Sequence, residues 1–284
     1  MNSQQYRPQG FKMLPPVVKN LLIINSIMFL ATVALERSIG FDLSDILGLH
    51  YFAAQKFSPF QFITYMFMHA DLSHIIFNMF ALWMFGYVLE NVWGPKRFLI
   101  YYLVTGIGAA LVHYVIFYFE FNPMVEYLNQ LINNPSLANL QVFQNSVAQG
   151  GISAYSGEIY LQFKEFSSTV QKLGYNPDNQ ALIESAKGFV MDYKEFRLNQ
   201  PNVIGASGAV FGILLAFGMM FPNTLLYIYF LFPIKAKWFV LFYGALELYL
   251  GFTQSNSNVA HFAHLGGMIF GFILIKYWKR KGIY

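Results

Sequence analysis

The chain has 284 residues, 56% of them hydrophobic and only 11% charged, against about 45–50% and about 25% in a soluble globular domain. That excludes an ordinary water-soluble fold, and a formal net charge of +4 with its basic residues clustered in short loops excludes a nucleic-acid stripe. With no cysteine in the chain, a disulfide framework, a thiolate metal site and a cysteine nucleophile are also excluded.

The opening Met1–Lys12 is polar and lacks the short apolar core and small-residue cleavage site of a signal peptide, so the first membrane helix is expected to act as an uncleaved insertion signal. A hydrocarbon core of ~30 Å needs roughly 20 apolar residues. Six segments fit that requirement: Pro15–Leu35, Asp71–Val92, Phe98–Phe119, Ile204–Phe221, Ala236–Phe252 and Val259–Trp278. They are apolar all round rather than on one face, so their outer surfaces are expected to meet the lipid bilayer. Arg37–Ala70 mixes charges with many aromatics and reads as an interfacial element. Tyr227–Trp238, broken by Pro233, Lys235 and Lys237, reads as a short interfacial turn.

Lys and Arg in short loops set orientation. Arg7, Lys12 and Lys19 precede the first span, Lys96 and Arg97 join the second and third, Lys235 and Lys237 precede the fifth, and Lys276, Lys279, Arg280 and Lys281 end the chain. Six spans with both termini in the cytoplasm place all of these on one face. Glu120–Gln200 carries charges of both signs and no apolar run of spanning length, so it is expected to form an extramembrane insertion on the opposite side. Tyr127–Ile132, Ile159–Val170 and Leu182–Phe196 predict amphipathic helices in it, with breaks at Gly150-Gly151 and Asn176-Pro177. The predicted fold is an all-α polytopic membrane protein: a tail (1–14), three spans with an interfacial loop (15–119), the insertion (120–200), and three spans with a basic tail (201–284).

Three places carry chemistry. The fourth span opens Gly205-Ala206-Ser207-Gly208-Ala209-Val210-Phe211-Gly212. Gly208 and Gly212 are a small-xxx-small pair that could serve helix packing alone; Ala209 stands where the α/β-hydrolase nucleophile elbow needs glycine. In the sixth span, Ala263-His264-Leu265-Gly266-Gly267 puts an imidazole in an apolar helix, where it needs a partner. Gly267 and Gly271 share its helical face and admit a close neighbour; if that neighbour is the Gly208/Gly212 helix, the imidazole reaches Ser207. A histidine merely hydrogen-bonded in the core is the alternative. In the second span, His74 and Asn78 stack at i and i+4, suited either to stabilising an oxyanion or to an interhelical hydrogen-bond pair.

In order and context, HxxxN (His74, Asn78), GxSG (Gly205-Ala206-Ser207-Gly208) and AHxxGxxxG (Ala263, His264, Gly267, Gly271) resemble the rhomboid family. The resemblance covers the six spans and first loop, but not Glu120–Gln200, which the compact bacterial members lack. It implies an intramembrane serine protease with a Ser207/His264 dyad and no third carboxylate, opening to water in the outer half of the bilayer. It further implies an oxyanion site from His74, Asn78 and the Ser207 N–H, an aromatic ring at Phe211 against the imidazole, and a structural role for Glu90. Neither cofactor nor metal is implied. Single-pass or other transmembrane proteins are the implied substrates, and the bacterial cytoplasmic membrane the implied location. The oligomeric state is left open.

Ala260-His261 imitates the start of the sixth-span motif, but His264 stands where that pattern needs glycine, so His264 is the better base. His69 reads as solvated or loop-tethering. Glu247 is an intramembrane acid, a functional signal by default, yet the family pattern gives it no role and it reads as a buried hydrogen-bonding group. The leading alternative function is an inactive rhomboid relative that binds membrane clients. A metalloprotease using His69, His74, His261 and His264 lacks a His-Glu-x-x-His motif, and a transporter lacks a visible inverted repeat.

Overall fold

A computed structural model of the chain describes residues 10–152, 157–200, 202–228, 232–253 and 261–282. Arg7, Val259, Ala260 and the middle of the Tyr227–Trp238 turn lie outside these. The described residues are predominantly helical: α1 (Pro16–Ile39), the short α2 (Ser44–Leu47) and α3 (Gln61–Thr64), α4 (Leu72–Trp93), α5 (Pro95–Asn133), α6 (Leu137–Gln149), α7 (Glu158–Leu173), α8 (Gln180–Asn199), α9 (Ser207–Met220), α10 (Ala236–Thr253) and α11 (His261–Arg280). By length and composition α1, α4 and α5 are each apolar enough to cross a membrane. The chain divides into two units, one of 1–49, 58–114 and 202–284, the other of 50–57 and 115–201.

Two long helices of the first unit have their starts fixed by a carboxylate. Pro15 and Pro16 open α1, and the buried Glu90 carboxylate, from the far end of α4, accepts the Val17 and Val18 N–H groups at 2.9 and 2.7 Å. These are orphan donors at a helix N-terminus, where negative charge is stabilised. Asp71 caps α4 by accepting the His74 N–H at 2.8 Å. Large apolar side chains stand exposed on the outer faces of α1 (Ile27, Leu30), α4 (Phe77), α10 (Phe242, Phe252) and α11 (Ile273), as a lipid-facing surface requires.

Two boundaries of the first unit differ from expectation. Ile204–Ala206 is not helical and α9 begins at Ser207 itself. Its 14 residues reach only ~21 Å at ~1.5 Å per residue, and α9 is buried on nearly every side. The expected Tyr227–Trp238 turn contains part of an antiparallel hairpin, Leu225–Ile228 with Phe232–Lys235, in which Tyr227 pairs with Pro233. The β-branched and aromatic residues flanking the turn favour strands.

The third predicted span does not stop at Phe119, and Tyr127–Ile132 is not a separate helix, because α5 continues to Asn133 through Pro123. A loss of apolar character does not end a helix, and beyond Phe119 Asn122 donates to Glu126 one turn on at 2.8 Å. A helix interior accommodates one proline at a cost of about 3 kcal/mol or more.

The second unit holds the last part of α5 and α6 to α8. Leu128 and Leu131, Leu140 and Val147, Phe166, and Val190 come together in one apolar core. Phe143 is its hub, with its ring 5.4–6.5 Å from those of Tyr127, Phe166, Phe189 and Tyr193. Helix α6 was not foreseen; its signals are the Ser136 cap, which accepts the Asn139 N–H, and the apolar row Leu140, Phe143 and Val147. Truncating a fully buried aromatic costs about 3–5 kcal/mol, so Phe143→Ala is expected to unfold this unit at lower temperature. Limited proteolysis across a temperature series should show earlier cleavage between residues 137 and 199 than in the unsubstituted chain.

Candidate active site

Helices α9 and α11 meet where neither has a side chain. A Cβ built on Gly267 would fall well inside contact distance of the Gly208 carbonyl oxygen, which is backbone and cannot swing away. The other two glycines of the motifs do not face each other as the simplest pairing suggests. A Cβ on Gly212 would lie 2.6 Å from Thr105 Cβ, and one on Gly271 would collide with the Tyr101 hydroxyl, so both glycines admit α5. Tyr101 exploits the gap by donating its hydroxyl to the Gly212 carbonyl at 2.8 Å.

The close approach sets the polar geometry. His264 Nε2 lies 2.9 Å from Ser207 Oγ, within reach of direct proton transfer. The Phe211 ring, one turn after Ser207, stacks on the His264 imidazole with centroids 4.3 Å apart and planes within 5°. Ser207 is the first residue of α9, so its N–H is one of the orphan donors of a helix start. Gly205 turns the chain into that start with φ of +125°, and its N–H donates to Tyr65 O at 2.9 Å. The Tyr65 hydroxyl in turn donates to Gly106 O at 2.7 Å.

His74 borders the same place, since a Cβ on Gly205 would stand 2.8 Å from His74 Nε2 and 3.5 Å from Ser207 Oγ. The Ala70 N–H points at His74 Nδ1 over 3.4 Å, which favours a bare Nδ1 and a proton on the nitrogen facing Gly205. Asn78 is buried on α4 one turn further along.

His69 is buried rather than solvated, with its ring 5.0 Å from that of His74. Burial, reinforced by His74, pushes its imidazole down to about 4, so it is neutral at ordinary pH. The four histidines of the metalloprotease alternative thus form two pairs, His69 with His74 and His261 with His264. Among the described residues, Glu247, His261 and His264 hold possible ligand atoms within 4.8 Å of one another. Glu247 is the residue whose surroundings sequence reasoning underestimated, since it contacts both histidines.

A family model described as the Rhomboid domain matches residues 56–124 and 179–281. The chain belongs to the rhomboid family. It is also similar to an uncharacterized mitochondrial rhomboid protein of Schizosaccharomyces pombe, 26% identical over 225 residues, covering 77% of this chain and 51% of that protein. The mitochondrial RHOMBOID-like protein 12 of Arabidopsis thaliana is 26% identical over 72% of this chain and 42% of its own length. The rhomboid protease GluP of Bacillus subtilis is 38% identical over 48 residues, 17% of this chain and 10% of its own. The chain therefore spans about half the length of the curated relatives it matches most extensively. Like other rhomboid proteins it is an integral membrane protein. Both long matches are to mitochondrial proteins, whereas the sequence led to an expectation of the bacterial cytoplasmic membrane. The rhomboid match leaves out residues 125–178, which fall within Glu120–Gln200.

The rhomboid glycine contact yields a test. Gly267→Ala places a methyl against the Gly208 carbonyl and must push α9 from α11, so it is expected to destabilise the protein strongly. Gly188→Ala, on an open face of α8, is expected to be neutral or slightly stabilising. Thermal unfolding in detergent compares the two.

Proposed function

We propose that the chain is an intramembrane serine endopeptidase that hydrolyses peptide bonds of membrane-anchored proteins, with Ser207 as nucleophile and His264 as general base. The observation that carries this reading is the 2.9 Å approach of His264 Nε2 to Ser207 Oγ, made by two side chains 57 positions apart inside an apolar bundle. A histidine inside an apolar bundle is costly without a polar partner, and Ser207 supplies one. As the Ser207 Oγ–carbonyl bond forms, the hydroxyl proton passes to Nε2; as the C–N bond breaks, the same proton goes to the leaving amine. Water then repeats the sequence on the acyl-enzyme.

The oxyanion would be held by the Ser207 N–H at the positive end of α9, by His74 Nε2–H and by Asn78, with Phe211 fixing the plane of the base. In this reading the chain crosses the bilayer six times, by α1, α4, α5, α9, α10 and α11, with both termini on the cytoplasmic or equivalent face. Supporting it are the apolar outer faces of these helices and the basic residues of their short connections. The shortness of α9 favours a nucleophile below the membrane surface, since ~21 Å of helix cannot fill a ~30 Å core. The second unit carries none of the chemistry-bearing residues and is read as an extramembrane accessory to substrate access. A bacterial cytoplasmic membrane is the proposed setting where the host is a bacterium; the long matches point to a mitochondrial membrane otherwise.

Labelling with a fluorophosphonate probe, followed by identification of the labelled residue, tests the nucleophile. Ser207→Ala and His264→Ala are each expected to abolish labelling and cleavage while the protein remains folded in the membrane, and the double variant to be no worse than either. Labelling that survives Ser207→Ala would overturn the assignment, and folded protein that binds membrane clients without any turnover would fit an inactive relative.

His74→Ala and Asn78→Ala are each expected to lower kcat by roughly ten- to a thousand-fold with little change in KM, as loss of oxyanion donors does. A rise in KM with kcat intact would show that the residue binds substrate instead.

A further inference from the structure

Glu247 lies in the middle of α10, in the run Ala245-Leu246-Glu247-Leu248, and is 4% exposed. A carboxylate in such a helix is expensive unless donors surround it. Its Oε2 stands 2.7 Å from His264 Nδ1 and 2.7 Å from His261 Nδ1. An ionised carboxylate can only accept, so beside an ionised Glu247 both imidazoles present Nδ1–H to it. This fixes the tautomer of His264: with the proton on Nδ1, Nε2 carries the free lone pair, and Nε2 is the atom facing Ser207 Oγ at 2.9 Å.

His261 stands one turn before His264 on the same face of α11 and contributes the second donor. Among the described residues its own Nε2 is buried without a hydrogen-bond partner. The Nδ1 contact to Glu247 is the only polar contact this imidazole makes among the described residues, so holding the carboxylate is what the side chain is placed to do.

We propose that Glu247 is a positioning residue for His264, turning the Ser207/His264 pair into a Ser–His–Glu relay, with His261 as the anchor that holds the carboxylate in place. This rests on the serine-hydrolase reading above. When Ser207 gives its proton to Nε2, His264 becomes an imidazolium whose positive charge faces the Glu247 carboxylate. The Nδ1 proton stays on His264 and the carboxylate stays ionised throughout. The proton returns from Nε2 to the leaving amine, leaving Glu247 unchanged. The proposal adds to Ser207 and His264 a third group that the rhomboid resemblance did not imply.

The same three side chains have the spacing of a metal-ligand set, and the chemistry separates the two uses. A metal bound to His264 Nδ1 would force the ring proton onto Nε2, which could then no longer accept the Ser207 proton. Metal occupancy and a working base are mutually exclusive here.

The test uses the full chain in detergent. Glu247→Gln keeps the shape of the side chain and removes its charge; it is expected to lower kcat, and the rate of fluorophosphonate labelling, by about a hundred-fold or more, with KM within about three-fold. Placed in a His264→Ala background it should cause no further loss, because the two act as a unit. A merely structural role would add its loss to that of His264 or lower the unfolding temperature without a kcat effect. A Glu247→Gln enzyme with near-normal kcat, or one whose loss resides in KM, overturns the proposal.

Should Glu247→Gln not fold, nitrogen-15 histidine NMR of the unsubstituted protein decides. Protonated Nδ1 and bare Nε2 on His264 are expected, and the opposite tautomer overturns the proposal. So would a stoichiometric metal whose chelation abolishes labelling. Ser207→Ala serves as the control: if it still labels, the hydrolase reading has failed; if it is silent while Glu247→Gln is fully active, only the role of Glu247 has.

Discussion

The approach of α9 to α11 at Gly208 and Gly267 is the constraint on which the rest of the first unit depends. Within a bilayer there is no hydrophobic force to drive helices together, so the attraction comes from close packing and polar contacts at short range. With any side chain at Gly267 the helices would separate, and the 2.9 Å distance between Ser207 and His264 would be lost with them. Tyr101 and Thr105 of α5 fill the space that Gly271 and Gly212 leave one turn away, and Tyr65 ties the turn at Gly205 to Gly106.

A second pattern is the use of carboxylates from one helix to satisfy another. Glu90, near the C-terminal end of α4, accepts two backbone N–H groups of α1; Glu247, in α10, accepts from two imidazoles of α11. Both are almost wholly buried and both bind two donors. Burying a charge is tolerable only with such pairing; Glu247 thereby requires particular side chains opposite it, whereas Glu90 requires only free backbone N–H groups at the start of α1. The sequence resemblance supplied a structural role for the first, and the geometry of the second came only from the fold.

How much could be read in advance follows from the physics of each signal. Ser207, His264 and His74 stood out in the sequence because polar groups in apolar spans are rare, whereas Phe211 entered only through the rhomboid resemblance. Glu247 was visible as an intramembrane acid, but its partners lie 14 and 17 positions away on another helix, and no periodicity reports that. Of the two readings of His69, solvated or loop-tethering, its burial excludes the first, because a loop position says nothing of what covers it. The continuation of α5 past Phe119 was missed because a change in polarity was taken for a change in structure, and α6 because its apolar row is short. The start of α9 at Ser207 rather than Ile204 depends on the positive φ of Gly205, which a glycine permits but does not announce.

The His264 ring is gripped on three sides: Phe211 covers its face, Glu247 holds Nδ1 and Ser207 meets Nε2. A flip about its χ2 axis would keep the stacking but break both nitrogen contacts at once. In a hydrolase built this way the imidazole cannot rotate to hand its proton elsewhere, so every transfer must pass through a single nitrogen in place. The departing amine and the incoming water must then use one doorway in turn. The amine has to clear it before water can enter, which imposes a strict order of events on the cycle and leaves the Ser207 hydroxyl as its chief moving part.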